Sequence, residues 1–217
     1  MVFDEILKSW EMDKTDFLTR MFGVLCKSKQ KVNTLVLQGE SNAGKSYIVR
    51  SLLPLYNNNY GEVHPHLANQ FAFMDCVNKT LILAEEFVVL PELVDQTKLL
   101  LEGTSFKTCV KCRGDAMVAP TPVIITTNRP INHWLHGEDK TAIQNRCRFV
   151  NAKKCDYLEN VKKPLHPLMW KELFTSYEAA ILFDSMDKDD APFYFEIKIP
   201  SPKKANDVEN TPLSLLL

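Results

Sequence analysis

No stretch of the 217-residue sequence approaches the roughly 20 consecutive apolar residues that a membrane-spanning helix needs. The longest apolar runs, at residues 81–84 and 123–125, are strand-sized, so a soluble protein is expected. An excess of positive charge is also missing: 26 Lys and Arg stand against 27 Asp and Glu, a formal net charge of −1. That balance excludes a uniformly basic coat, and any contact with nucleic acid must come from locally placed cations. The six cysteines (Cys26, Cys76, Cys109, Cys112, Cys147, Cys155) lack framework spacing, and the chain opens without a signal-peptide pattern. Free thiols in a reducing intracellular compartment are the expectation. No internal repeat is visible.

What is present is the alternation of an α/β protein. Residues 1–31 carry apolar positions at helical spacing (Phe3, Ile6, Leu7, Trp10, then Phe17, Leu18, Met21, Phe22, Leu25), which predicts two amphipathic helices suited to a lid or an assembly collar. Three short apolar runs follow, at 34–37, 80–84 and 122–126, spaced widely enough for intervening helices, as in a parallel sheet. A further helix is predicted over 169–183, with Trp170, Leu173, Phe174 and Tyr177 on one face. From about Ser185 the composition turns to Asp, Lys, Pro, Asn and Ser, and 203–217 reads as a poorly ordered tail. The boundaries expected are a helical segment at 1–31, a core at 32–184 and an extension at 185–217.

Each apolar run ends in a polar signature. The first leads into Gly39-Glu40-Ser41-Asn42-Ala43-Gly44-Lys45-Ser46 and then a helix-compatible stretch beginning at Tyr47, the phosphate-loop pattern in its strand, loop and helix setting. Gly39 and Gly44 let the backbone curl so that N–H groups face an anion at a helix N-terminus. Lys45 is placed for the β- and γ-phosphates of ATP, and the Ser46 hydroxyl for Mg²⁺. The second run ends in Glu85-Glu86 at the C-terminal end of a buried strand, where ligands of open α/β sheets bind. Glu85 is assigned to the metal and Glu86 to the attacking water, because phosphoryl transfer depends on positioning and charge compensation. The third run ends in Thr126-Thr127-Asn128, and Asn128 is placed to donate to a γ-phosphate or orient the water; alone, such an Asn is a turn former.

Together, the phosphate loop, the Glu-Glu strand and the segment from Pro120 to Asn128 resemble motifs A, B and C of superfamily 3 helicases, with wording similar to the parvovirus (densovirus-like) nonstructural replication proteins. Residues 71–79 are similar to that family's stretch before motif B, so the likeness spans about 35–148. It implies a P-loop NTPase of the AAA+ type that runs as a hexameric ring on single-stranded DNA in the host cell nucleus. It also implies a β-hairpin between motifs B and C carrying DNA-binding cations, which here are Lys111 and Arg113 with Lys107 close by. Such cations neutralise phosphates without reading bases; a solvated charged hairpin is the bland alternative.

Asn145-Arg146-Cys147-Arg148 resembles the segment that supplies an arginine finger to the neighbouring subunit's ATP. Arg146 is the expected finger, Arg148 the competing choice, and a structural ion pair the plain alternative. The length leaves no room for the family's origin-binding, strand-nicking domain, so a piece of a longer protein is expected.

Two features are expected to be decoys. His64-Pro65-His66 lies inside the motor span rather than in a nicking domain, and Cys109-Val110-Lys111-Cys112 lacks the second ligand pair that zinc requires. Trp10, Trp134 and Trp170 read most simply as packing residues. The competing functions are a P-loop ATPase that packages or remodels nucleic acid without unwinding, and a nucleotide-dependent assembly module with negligible turnover.

Overall fold

The computed structural model describes residues 1–57, 59–63 and 70–176, with Ser176 described by its backbone alone. The expected helical segment resolves into α1 (Val2–Ser9) and α2 (Lys14–Leu25). Asp13 caps α2, its carboxylate accepting from the Asp16 amide, which satisfies one of the orphan donors of the first turn. The chain continues as β1 (Thr34–Gly39), α3 (Lys45–Leu52), β2 (Tyr60–Glu62), β3 (Leu81–Glu85), α4 (Val94–Glu102), β4 (Phe106–Val110), β5 (Gly114–Val118), β6 (Val123–Thr127), α5 (Gly137–Gln144), β7 (Cys147–Ala152) and α6 (Leu168–Ser176).

Five strands form one parallel sheet in the order β2-β3-β6-β1-β7, and β4 and β5 form a separate antiparallel hairpin. This is the AAA+ type of P-loop NTPase fold that the motifs imply. The three apolar runs are β1, β3 and β6, side by side. Strands β2 and β7 were not anticipated: β2 has three residues, and β7 begins inside the segment read for its arginines.

Strand alternation divides the core. Leu35, Leu37, Leu81, Leu83, Ile124 and Val150 face one side, where they are buried with Phe3, Ile6, Phe17 and Met21 of the first two helices, Ile48 of α3 and Trp170 of α6. Val36, Ile82, Ala84, Val123 and Ile125 face the other, against Leu100 and Leu101 of α4, Phe106 and Val118 of the hairpin, Ile131 and Ile143. A sheet covered on both faces needs apolar residues at consecutive positions, which is why its strands read as continuous runs rather than alternating ones. The N-terminal helices thus share one buried cluster with β1 and α3.

Trp170 is fully buried, stacks edge-on to Phe3 at 5.6 Å and donates its indole N–H to Ser51 Oγ at 2.9 Å. Trp10 is also buried, as expected. Trp134 departs from its packing role: it is 52% exposed, its ring set nearly at right angles to that of His133 at 4.5 Å between centres. An apolar residue in a turn has no periodic partner to draw it inward, and size alone does not bury it. The helix predicted over 169–183 starts at Leu168; its stretch from 177, the tail at 203–217 and His64-Pro65-His66 lie outside the described residues. Among the described residues no helix is long and apolar enough to cross a membrane.

Candidate functional site: the carboxyl ends of β1, β3 and β6

Parallel pairing brings the three polar signatures level. Gln38 pairs with Thr127 and Glu85 with Thr126, so the residues that leave β1, β3 and β6 emerge at one edge of the sheet. The loop after β1 is shaped by its glycines. Gly39 has φ +144°, and a side chain there would drive a Cβ to 2.0 Å from the Ala152 carbonyl oxygen of β7. Gly44 has φ +85° and is closed in by Leu158, 2.7 Å from where its Cβ would stand. Asn42 also takes a left-handed conformation, φ 59°, which Asn tolerates better than most residues.

The rest of the fold holds this loop from behind. Ala152 accepts from the Glu40 amide at 3.0 Å, the Cys155 amide donates to the Asn42 carbonyl at 3.3 Å, and the Trp10 indole donates to the Ala43 carbonyl at 2.8 Å. The Trp10 contact gives the N-terminal helix a direct hold on the loop that its packing pattern did not announce.

Lys45, the first residue of α3, is 6% exposed. Its ammonium donates to the carbonyls of Gly39 (3.0 Å) and Glu40 (2.5 Å) and to Asn128 Oδ1 (2.8 Å). Among the described residues no carboxylate reaches ion-pair distance of it. Burial pushes its pKa down, against the opposing fields of Glu86 and Glu40. A buried cation held only by neutral oxygens is suited to an incoming anion.

Asn128 joins both sides of the site: its Nδ2 donates to Glu86 Oε1 at 2.9 Å while its Oδ1 accepts from Lys45. Glu86 stands at φ 50°, a left-handed conformation for a non-glycine residue in the turn that ends β3. Such a conformation costs of order 1–3 kcal/mol and persists where surrounding structure imposes it. Glu85 takes a different partner, the Arg50 guanidinium of α3, at 2.6 and 3.3 Å. The Arg50 guanidinium, with the Ser46 hydroxyl assisting and burial opposing, holds the Glu85 carboxyl below its ordinary value. Arg50 lies 35 positions before Glu85, and no sequence spacing signalled that pair.

The donor set fits a magnesium nucleotide. Lys45 and the start of α3 present positive charge, the Ser46 hydroxyl and Glu85 carboxylate are hard oxygen ligands of the kind Mg²⁺ takes, and Asn128 joins Lys45 to Glu86. Glu40, Ser41, Asn42, Ala43 and Tyr47 complete the loop and the first turn of α3; the Tyr47 hydroxyl donates to the Lys163 carbonyl at 2.5 Å.

Away from this edge, Lys107, Lys111 and Arg113 lie on the β4–β5 hairpin and are exposed. The loop of residues 111–113 joins strands paired from Phe106↔Val118 to Val110↔Gly114. Cys112 at φ 62° and Gly114 at φ 75° turn the chain there. Lys111 Nζ lies 5.7 Å from the centre of the Phe71 ring, within cation–π range. All six cysteines are free, and among the described residues no three metal-ligating side chains converge.

Arg146 is paired with Glu102 at 2.8 Å, so within this chain it makes the structural ion pair that was its plain alternative. Arg148 lies against Gly23 of α2, whose Cβ would approach its guanidinium carbon to 3.3 Å, and burial pushes its pKa down.

A family model described as Parvovirus non-structural protein NS1 matches residues 2–160. The initiator protein NS1 of Bombyx mori densovirus is 30% identical over 178 residues, covering 82% of this chain and 19% of that protein. That of Porcine parvovirus strain NADL-2 is 36% identical over 136 residues, 60% of this chain and 20% of its own length. The chain therefore spans about a fifth of the length of these relatives. Among solved structures, a JCV helicase bound to a small molecule superposes with a TM-score of 0.54 at 13% identity, over 78% of this chain and 49% of that one. The NrS-1 C-terminal region, residues 305–718, gives 0.53 at 15% identity, over 81% and 42%. At such identities the likeness is one of fold. With most of its length matched by the family model, this chain belongs to the parvovirus non-structural protein NS1 family.

Proposed function

We propose that the chain is the ATP-hydrolysing motor of a viral replication initiator, a superfamily 3 DNA helicase that translocates along single-stranded DNA as a ring. The observation that carries this reading is the buried ammonium of Lys45, held by neutral oxygens and joined through Asn128 to the carboxylate of Glu86. ATP rests on residues 39–47, with its phosphates replacing the loop carbonyls around Lys45. Ser46 and Glu85 would hold Mg²⁺, which when bound would neutralise charge on the phosphates. Glu86 orients and deprotonates the attacking water, and Asn128 senses the γ-phosphate. Arg146 of the adjoining subunit completes the site, which makes the functional unit a ring, hexameric by family resemblance, with the N-terminal helices as its collar.

The hairpin cations Lys107, Lys111 and Arg113 grip DNA phosphates in the channel, and work takes place in the host cell nucleus. The name initiator protein, carried by the relatives, favours replication over packaging. The deciding measurement is ATP turnover across a protein concentration series, with and without single-stranded DNA, beside Glu86→Gln. Turnover that rises with both and vanishes in the variant supports the ring motor. Turnover independent of both removes it and leaves a simpler P-loop ATPase.

A further inference from the structure

Glu102 is the last residue of α4, a poor place for a carboxylate because the helix presents its negative end there. The side chain is only 14% exposed, and its charge is met by Arg146, whose Nε and Nη2 both donate to Oε2 at 2.9 and 2.8 Å. The third guanidinium nitrogen, Nη1, donates to the Ala142 carbonyl at 2.7 Å. Every nitrogen of Arg146 is thus turned inward in its own subunit.

The other oxygen of the same carboxylate accepts from the Thr104 hydroxyl at 2.9 Å. Thr104 follows the left-handed Gly103 and precedes Phe106, the first residue of the DNA hairpin. The end of α4 is fixed in turn to the start of β1: Asn33 donates to the Leu100 carbonyl, and Thr34 to that of Leu101. One carboxylate therefore grips Arg146 with one oxygen and the root of the hairpin with the other, on a platform continuous with the strand that leads to the phosphate loop.

We propose that Glu102 is a positioning residue that restrains Arg146 within its subunit and couples it to the hairpin root. This inference rests on the reading of Arg146 as the group that serves the neighbour's nucleotide. To reach a phosphate across a subunit boundary, Arg146 must exchange Glu102 for that anion. Its departure leaves the carboxylate uncompensated at the helix end and weakens the arrangement that holds Thr104. Nucleotide in one subunit is thereby communicated to the hairpin of the next, and DNA on the hairpin alters the release of Arg146 in return, as reciprocity of coupling requires.

Glu102→Gln keeps the length and the acceptor for Thr104 but removes the charge that restrains Arg146. It is expected to raise turnover without DNA roughly fivefold or more, to move the protein-concentration midpoint of activity downward, and to shrink the factor by which single-stranded DNA stimulates the enzyme. Thr104→Val leaves the ion pair in place and is expected to reduce the DNA stimulation factor with turnover in its absence unchanged. Turnover of Glu102→Gln at or below wild type without DNA overturns the restraint, and an unchanged stimulation factor in both variants overturns the coupling. Arg146→Ala, assayed alongside, separates the two levels: wild-type turnover in that variant sinks the role of Arg146 itself.

Discussion

Lys45 and Asn128, 83 positions apart, meet at 2.8 Å across the carboxyl ends of β1 and β6, and Asn128 passes the contact on to Glu86. Asn128 donates with one side-chain atom and accepts with the other, so it aligns a cation and a carboxylate that do not themselves pair. Asn128→Ala is expected to lower kcat for ATP about 100-fold, the cost typical of losing one positioned donor, with a smaller change in KM. Steady-state kinetics decide: a raised KM at unchanged kcat reduces Asn128 to a binding residue.

The Arg50–Glu85 pair makes a pH signature. Because Arg50 holds the folded Glu85 carboxyl below its ordinary value near 4.5, the pair stabilises the fold at pH above that value and loses its contribution as pH falls through the lower folded one. Arg50 is 66% and Glu85 32% exposed, so the effect at neutral pH is limited to about 0–1 kcal/mol and fades with salt. Urea denaturation of Arg50→Ala and the parent at pH 7 and pH 4 is expected to differ by more at pH 7. An equal difference at both refutes the electrostatic account.

Thiol chemistry offers a footprint of the hairpin. Burial pushes the Cys76 thiol up to about 12 and the Cys26 thiol up to about 11, and raises Cys147 as well, whereas Cys112 is exposed at the hairpin turn. The thiolate is the reactive form, so iodoacetamide at pH 8 is expected to modify Cys112 ahead of these three. Single-stranded DNA is expected to slow that modification, and peptide mass mapping reads the order. Labelling at Cys112 unaffected by saturating DNA counts against the hairpin as the DNA contact.

Two tryptophans of equal size are expected to behave oppositely. Trp170→Ala removes a fully buried ring and the donor to Ser51, and should cost about 3–5 kcal/mol. Trp134→Ala, on the surface, should stay within about 0.5 kcal/mol. Chemical denaturation of both variants checks the pair, and a large loss at Trp134 contradicts its exposure.

Much of the fold was legible because its signals are local. The runs at 34–37, 80–84 and 122–126 hold three or four consecutive apolar residues each, as strands buried on both faces require, and they became β1, β3 and β6. The phosphate loop was legible because glycine and lysine at fixed offsets meet a backbone requirement within eight residues. Strand β2 escaped notice because Tyr60-Gly61-Glu62 is too short for a period. Strand β7 carries no such run, because Arg148 and Asn151 interrupt the apolar positions of Cys147–Ala152.

The sequence by itself determined the chemistry: a phosphate loop, adjacent carboxylates at one strand end and an asparagine at another are statements about residue type and short-range spacing. Only the tertiary structure decided who faces whom. It gave Glu85 to Arg50 and Glu86 to Asn128, set the Trp10 indole behind the loop, left Trp134 in solvent and turned Arg146 onto Glu102. Those pairings join residues 33 to 44 positions apart. Their geometry depends on strand register and on which face of the sheet each helix covers, quantities that exist only once the chain has packed.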